Sequence, residues 1–282
     1  MSYYGSGYAS QEDYVDVYQF EEEIIDHTEE IYCSPIRRAN DFSDIQILED
    51  HMNRVFTRRN ILFCIDVEAW EHNQEYVTEI GVSIYDPRPQ KLALTPDIKT
   101  YHILINDNRD VKNGNFVPDH SSNFSGGTTH ILSLKQSRAL LQGLINHYFV
   151  EPHVPNCILV GHDLRGDIKW LNKLGVSIAS DVRKLDTQTL FSYTHGLAGA
   201  SLQNALRTVN QPFAFLHNAG NDAYYTIMLA LKLCDPKVRR LTGIDFFKDG
   251  EARGKPRYKK AATNKSKFST ASVNGLLNQI IG

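Results

Sequence analysis

Cysteine is scarce and scattered: Cys33, Cys64, Cys157 and Cys234 are the only four in 282 residues, and no two form a CxxC pair. Neither a zinc site nor a disulfide framework is expected, and a reducing compartment, cytoplasmic or nuclear, fits best. Positive charge in bulk is lacking too. A formal net charge of -3 excludes a protein held on nucleic acid by overall basicity, so any basic contact surface must be local. No run is long and apolar enough to cross a bilayer, so no membrane partner is expected. The first thirty residues, tyrosine-rich and acidic, have neither the apolar core of a secretory signal nor the arginine-rich character of a mitochondrial leader.

What remains is a chain that is 41% hydrophobic and long enough for one substantial core with tails. Residues 1–40 mix Gly, Ser and Tyr with the acidic run Glu21, Glu22, Glu23, which predicts a disordered acidic tail. Over 41–58, Ile45, Leu48, Met52, Val55 and Phe56 recur at helical spacing, with Ser43 available as a cap. The domain proper is expected over 59–235. Strands are predicted at 61–67, 76–85, 100–105, 157–161 and 180–185, and helices at 134–149, 168–174, 201–209 and 221–233. Hairpin-like strands followed by alternating helix and strand imply an α/β fold, a mixed five-stranded sheet flanked by helices. The stretch 113–127, rich in Asn, Gly and Ser, is a candidate mobile flap. Residues 236–282, with Arg253, Lys255, Arg257, Lys259, Lys260, Lys265 and Lys267, are expected to form a basic disordered tail. It could follow a nucleic-acid backbone, direct nuclear import, or simply be solvated.

Chemistry is concentrated in three places. Asp66-Val67-Glu68 ends the strand Leu62-Phe63-Cys64-Ile65, where alternation puts both carboxylates on one face. Two such acids repel each other unless a cation joins them. Asp167 opens a helix in Gly161-His162-Asp163-Leu164-Arg165-Gly166-Asp167, with Asp163 as the competing acid of that motif. His217 lies in a loop five residues before Asp222, at the start of an apolar helix. Taken singly, these are a solvated strand end, an acid favoured by a helix dipole, and a loop in which Asn221 or Asp222 caps the helix.

Together, Asp66, Glu68, Asp167, His217 and Asp222 resemble the DEDDh, or DnaQ-like, 3′ to 5′ exonucleases of the ribonuclease H-like superfamily. The resemblance runs from Ile61 to about Leu233, with weaker support from Asp186-Thr187 and Ser201-Leu202. More narrowly, Asp-Val-Glu-Ala-Trp-Glu and the Ser-Gly-Gly loop resemble a fungal branch with a yeast relative linked to messenger RNA export.

The resemblance implies that Asp66, Glu68, Asp167 and Asp222 hold two divalent cations, Mg²⁺ or Mn²⁺, which hard oxygen ligands suit. It also implies that His217 acts as general base and that nucleoside 5′-monophosphates leave the 3′ end of a single strand, RNA favoured over DNA. Export or processing factors are the implied protein partners. Three positions depart from the family pattern: Ala69 and Trp70 follow Glu68, Gly166 precedes Asp167, and Asp163 replaces an asparagine. Trp70 and Asp163 thereby become candidate substrate contacts. The competing expectation is a weakly active binding or scaffold protein on the same fold.

Overall fold

In the computed structural model the described residues are 11–90, 93, 95–151, 156–195 and 200–248, with side chains from residue 18 onward. The basic residues from Arg253 onward lie outside them. Two helices, α1 (Gln11–Cys33) and α2 (Phe42–Val55), precede the strands β1 (Ile61–Ala69), β2 (Val77–Tyr85), β3 (Ile98–Ile105) and β4 (Thr129–Leu132). Then follow α3 (Leu134–Phe149), β5 (Cys157–Gly161), α4 (Leu164–Lys173), β6 (Lys184–Asp186), α5 (Thr187–His195), α6 (Leu202–Thr208), α7 (Ala219–Leu233) and α8 (Pro236–Thr242).

The strand order is β4-β3-β2-β1-β5-β6, a mixed ribonuclease H-like sheet. Antiparallel pairs join β1 to β2 and β2 to β3, and parallel pairs join β3 to β4, β1 to β5 and β5 to β6. The sheet therefore has six strands where five were expected. The addition, β4, is four residues long and becomes a strand by pairing Thr129–Leu132 with His102–Ile105, a long-range contact that local periodicity does not report.

Alternation along β1 divides the core. Ile61, Phe63 and Ile65 face α3 and α4, while Leu62 and Cys64 face the layer that contains α2, α5, α6 and α7. By the same period Asp66 and Glu68 continue on the α7 side. There β2 approaches α7 very closely: a Cβ on Gly81, which pairs with Asp66, would sit 1.8 Å from the Ala219 carbonyl oxygen. Only glycine allows the first turn of α7 to lie against the sheet at this height.

Parts of both expected tails, within the described residues, are folded. Gln11–Cys33 is a helix whose Ile24 and Ile31 are fully buried against α2. Its apolar positions are too few to show a period amid the acids, but they suffice once a surface receives them. The fold also continues past residue 235. Pro236 opens α8 behind the Asp235 cap, and the guanidinium of Arg239 makes a buried pair with Asp245, which in turn meets His27 of α1. Asp41, not Ser43, caps α2 by accepting the Asp44 N–H at 3.0 Å; the Ser43 hydroxyl donates to that same carboxylate at 2.6 Å.

Candidate metal and active site

Three elements converge at the C-terminal end of β1. Asp66 and Glu68 project from that strand, Asp167 comes from the first turn of α4, and Asp222 comes from the first turn of α7. Asp167 is fixed by accepting the Val67 N–H at 3.2 Å. Asp222 accepts the N–H of His217 at 3.0 Å. The α7 cap is Asn218, whose side chain accepts the Asn221 N–H at 3.1 Å. Neither Asn221 nor Asp222 is spent on capping, and the aspartate is free for the site.

One ligand atom each from Glu68, His217 and Asp222 lies within 4.8 Å of the other two. Oδ2 of Asp66 and Oδ1 of Asp222 are buried with no hydrogen-bond partner, a costly condition for a carboxylate oxygen unless something positive meets it. Burial, and then the charges of Asp222, Asp167, Glu68 and Glu79, push the Asp66 carboxyl far above its usual range. Glu68 is raised by burial followed by Asp222, Glu79 and Asp167, and Asp167 chiefly by burial. Asp222, raised by burial against the opposing His217 N–H, reaches about 7. Four acids whose environment disfavours their own ionisation, two with orphaned oxygens, fit a divalent cation site of hard oxygen donors.

His217 stands at the open mouth of this cluster with a left-handed backbone, φ 68. Partial burial and then the neighbouring His120 lower its pKa, which leaves the imidazole neutral at pH 7. The loop carrying it is tied down. His120 Nδ1 lies 2.6 Å from the Leu216 carbonyl, and Asn218 donates to the His120 carbonyl at 3.1 Å. Asn221 donates to the carbonyls of Asn123 and Phe215 and accepts the Ser125 N–H. The stretch expected as a flap is thus pinned to the histidine loop by two buried asparagines.

A fifth carboxylate went unforeseen. Glu79 of β2, buried and directly opposite Glu68 in register, has Oε2 at 2.8 Å from His102 Nε2 and 3.3 Å from the Ala219 nitrogen. The available signal was an acid inside the otherwise apolar strand Val77-Thr78-Glu79-Ile80-Gly81-Val82. Asp186 is a second support: it accepts the N–H groups of Asp163, Leu164 and Gln188 and so anchors the start of α4.

The two candidate substrate contacts lie near cluster residues in the chain, Trp70 two residues after Glu68 and Asp163 four before Asp167. Trp70 is half-buried, its indole N–H donating to the Lys112 carbonyl at 3.2 Å. Asp163 is exposed, left-handed at φ 66, and makes no side-chain cap; its charge adds to the upward pressure on Asp167. A cavity of about 530 Å³ adjoins the cluster through Glu79 and His217, with Arg109, Lys112, Asn108 and Ser121 among its walls.

Carboxylates from two strand positions and two helix starts, with a histidine beside them on a ribonuclease H-like sheet, define an exonuclease-like protein. The family model described as the DNA polymerase III subunit epsilon-like C-terminal domain matches residues 61–233. The chain belongs to this DEDDh exonuclease-like family, in a branch with fungal members.

Two Saccharomyces cerevisiae relatives are similar to it: "Good for full DBP5 activity protein 2", 37% identical over 74% of this chain and 41% of its own length, and "Uncharacterized protein YDR514C", 39% identical over 67% and 44%. A Schizosaccharomyces pombe relative, "Uncharacterized nucleolar protein C2C4.08", is 34% identical over 57% of this chain and 64% of its own. The chain thus spans less than half the length of the two S. cerevisiae relatives. A structure of exonuclease I aligns at a TM-score of 0.40 with 14% identity, over 64% of this chain and 43% of that one. No helix among the described residues is long and apolar enough to cross a membrane.

Proposed function

We propose that the protein is a 3′ to 5′ exonuclease that hydrolyses phosphodiester bonds of single-stranded nucleic acid, RNA favoured over DNA, and releases nucleoside 5′-monophosphates. The observation that carries this is the pair of orphaned, buried carboxylate oxygens of Asp66 and Asp222, with Glu68 and His217 grouped round Asp222 and the charge of Asp167 felt at Asp66. Asp66, Glu68, Asp167 and Asp222 would hold two divalent cations, Mg²⁺ or Mn²⁺. Bound there, such cations supply charge neutralisation and polarise the phosphodiester oxygens.

The chain's own side chains do the rest. His217, neutral at physiological pH, takes the proton of the attacking water. Its position is held by the N–H donated to Asp222 and by the His120 contact to Leu216. Asp167 holds the end of β1 through Val67, which keeps Asp66 and Glu68 in place. Trp70 and Asp163 contact the terminal nucleotide.

A second reading is favoured by the name of one relative, which speaks of supporting another protein's activity: a weakly active nucleic-acid-binding scaffold that works with messenger RNA export or processing factors, in the nucleus or cytoplasm. Both are tested with 3′-labelled and 5′-labelled single-stranded RNA and DNA in Mn²⁺, Mg²⁺ or chelator, alongside Asp66→Asn and His217→Ala. The exonuclease gives metal-dependent stepwise shortening from the 3′ end that both substitutions abolish. A folded protein that binds RNA and leaves it intact is the scaffold.

A further inference from the structure

The chain leaving the acid cluster runs straight into a row of aromatic rings. Trp70 follows Glu68 by two residues, about 7 Å of extended chain. Its ring meets His72 edge-on at 5.3 Å and Tyr76 at 6.0 Å, and His72 in turn meets Phe116 at 5.6 Å. Phe116 is 78% exposed and Tyr76 44%. An isolated exposed phenylalanine needs no explanation. This one is held in place by a dedicated device.

Glu71 turns its carboxylate inward, its side chain only 2% exposed, and accepts the N–H groups of Asn115 at 2.9 Å, Phe116 at 2.8 Å and Val117 at 2.9 Å. Burial opposes that charge, but the N–H groups of Val117, Asn115, Phe116 and Gly114 outweigh it and bring the carboxyl down to about 2. Asn113 ties the same loop to β1 by accepting the Glu71 N–H and donating to the Ala69 carbonyl. Asn115 reaches His72 Nε2 at 2.9 Å. Four side chains thus brace a loop whose product is an aromatic ring held in water. Of the two acids between Trp70 and Tyr76, Glu71 is met by backbone N–H groups and Glu75 is paired with Lys173, while Lys112, on the loop of Phe116, is exposed. A widely exposed phenylalanine ring at the end of the row, no outward carboxylate on the loop tip and a cation alongside match unpaired bases on a phosphate backbone better than an apolar protein patch.

We propose that Trp70, His72 and Phe116 form a ridge on which unpaired bases of a single strand stack as its end enters the acid cluster, so that the surface selects single-stranded over duplex nucleic acid. The proposal rests on the nuclease reading and deepens it.

The experiment measures binding of a short labelled single-stranded RNA, and of its duplex, by fluorescence anisotropy in Ca²⁺, for the full chain and for Phe116→Ala, His72→Ala and Phe116→Trp. Stepwise shortening by the parent protein in Mn²⁺ is followed in parallel. Phe116→Ala and His72→Ala are expected to weaken single-strand binding about 5- to 100-fold, the range for losing one base stack, with the weaker duplex binding unmoved. Phe116→Trp is expected to retain single-strand affinity. Single-strand affinity unchanged in both alanine variants, with a parent that shortens RNA, overturns the ridge and leaves the nuclease standing. A parent that neither binds nor shortens RNA overturns both and hands the ridge to a protein contact.

Discussion

Glu79 Oε2 lies 2.8 Å from His102 Nε2, and the same oxygen stands 3.3 Å from the backbone nitrogen of Ala219. The first turn of α7, and with it Asp222 and the His217 loop, is therefore joined to a carboxylate of β2. His102 is held in turn through its Nδ1, 2.9 Å from Thr129 Oγ1. Supports of this kind around metal ligands are worth about 10- to 100-fold in affinity or activity. Glu79→Ala is expected to lose that much in both kcat and Mn²⁺ affinity, measured by steady-state kinetics and calorimetric titration. Glu79→Gln, which still offers an oxygen to the Ala219 N–H, should lose less. Equal losses in the two variants would mean that Glu79 acts by its charge and not as a positioning residue.

The acid cluster makes stability depend on pH with a definite sign. Asp222 titrates near 3.8 when unperturbed and at about 7 in the folded protein, and Asp66, Glu68 and Asp167 are raised as well. The folded state therefore binds more protons than the unfolded state across that window, and metal-free stability falls as pH rises through about 7. Cations relieve the repulsion only once the carboxylates ionise. Mn²⁺ is expected to raise the melting temperature strongly above pH 7 and little near about pH 5. Asp66→Asn should be more stable than the parent in chelator at the higher pH, and indifferent to Mn²⁺. A Mn²⁺ effect independent of pH would contradict a cation site built from these acids.

How much of this could be read from the chain follows from the range of each interaction. Asp66 and Glu68 are legible because a strand's period of two is local. Asp167, His217 and Asp222 are legible through their spacing within single motifs. Glu79 is hidden because its meaning lies in Ala219 and His102, far away in sequence, and Asn218 is hidden because its partners include the carbonyls of His120 and Ser121. Helix α1 escapes for the same reason: Ile24 and Ile31 gain their burial from α2 and the rest of that core layer, and His27 from Asp245, which none of their neighbours announces.

That last contact joins α1 to the segment after α8. Asp245 is fully buried between Arg239, which donates from Nε at 3.0 Å and Nη2 at 2.6 Å, and His27 at 2.9 Å. Arg239 also donates to the Leu233 carbonyl and the Thr194 hydroxyl. Removing one member leaves a buried charge unpaired, so Asp245→Ala should cost about 3 to 5 kcal/mol, read by urea unfolding. Burial raises the Asp245 carboxyl, but Arg239 and His27 overcome it and hold it at about 2. Its contribution is then present above about pH 4 and lost as pH falls through about 2. Asp245→Asn should lack that acid limb. A urea midpoint unchanged in Asp245→Ala would refute the clasp.

His217 lies close enough to Glu68 and Asp222 for its ring to serve either as a cation ligand or as a base. The two roles separate in measurement. As a base, the ring contributes to the proton transfer alone, so His217→Ala should lower kcat by about 100- to 10,000-fold and leave Mn²⁺ affinity at the parent value, whereas Asp222→Asn loses both. Its pKa is pulled below the usual 6.5 by burial and by His120, so with Mn²⁺ saturating at every pH the acid limb of kcat falls below that value. His120→Ala would remove one of those two influences and shift the limb upward. The residual rate of His217→Ala should lack this limb. If His217→Ala instead loses Mn²⁺ affinity as Asp222→Asn does, the imidazole is a ligand, and the proton of the attacking water must go to one of the carboxylates.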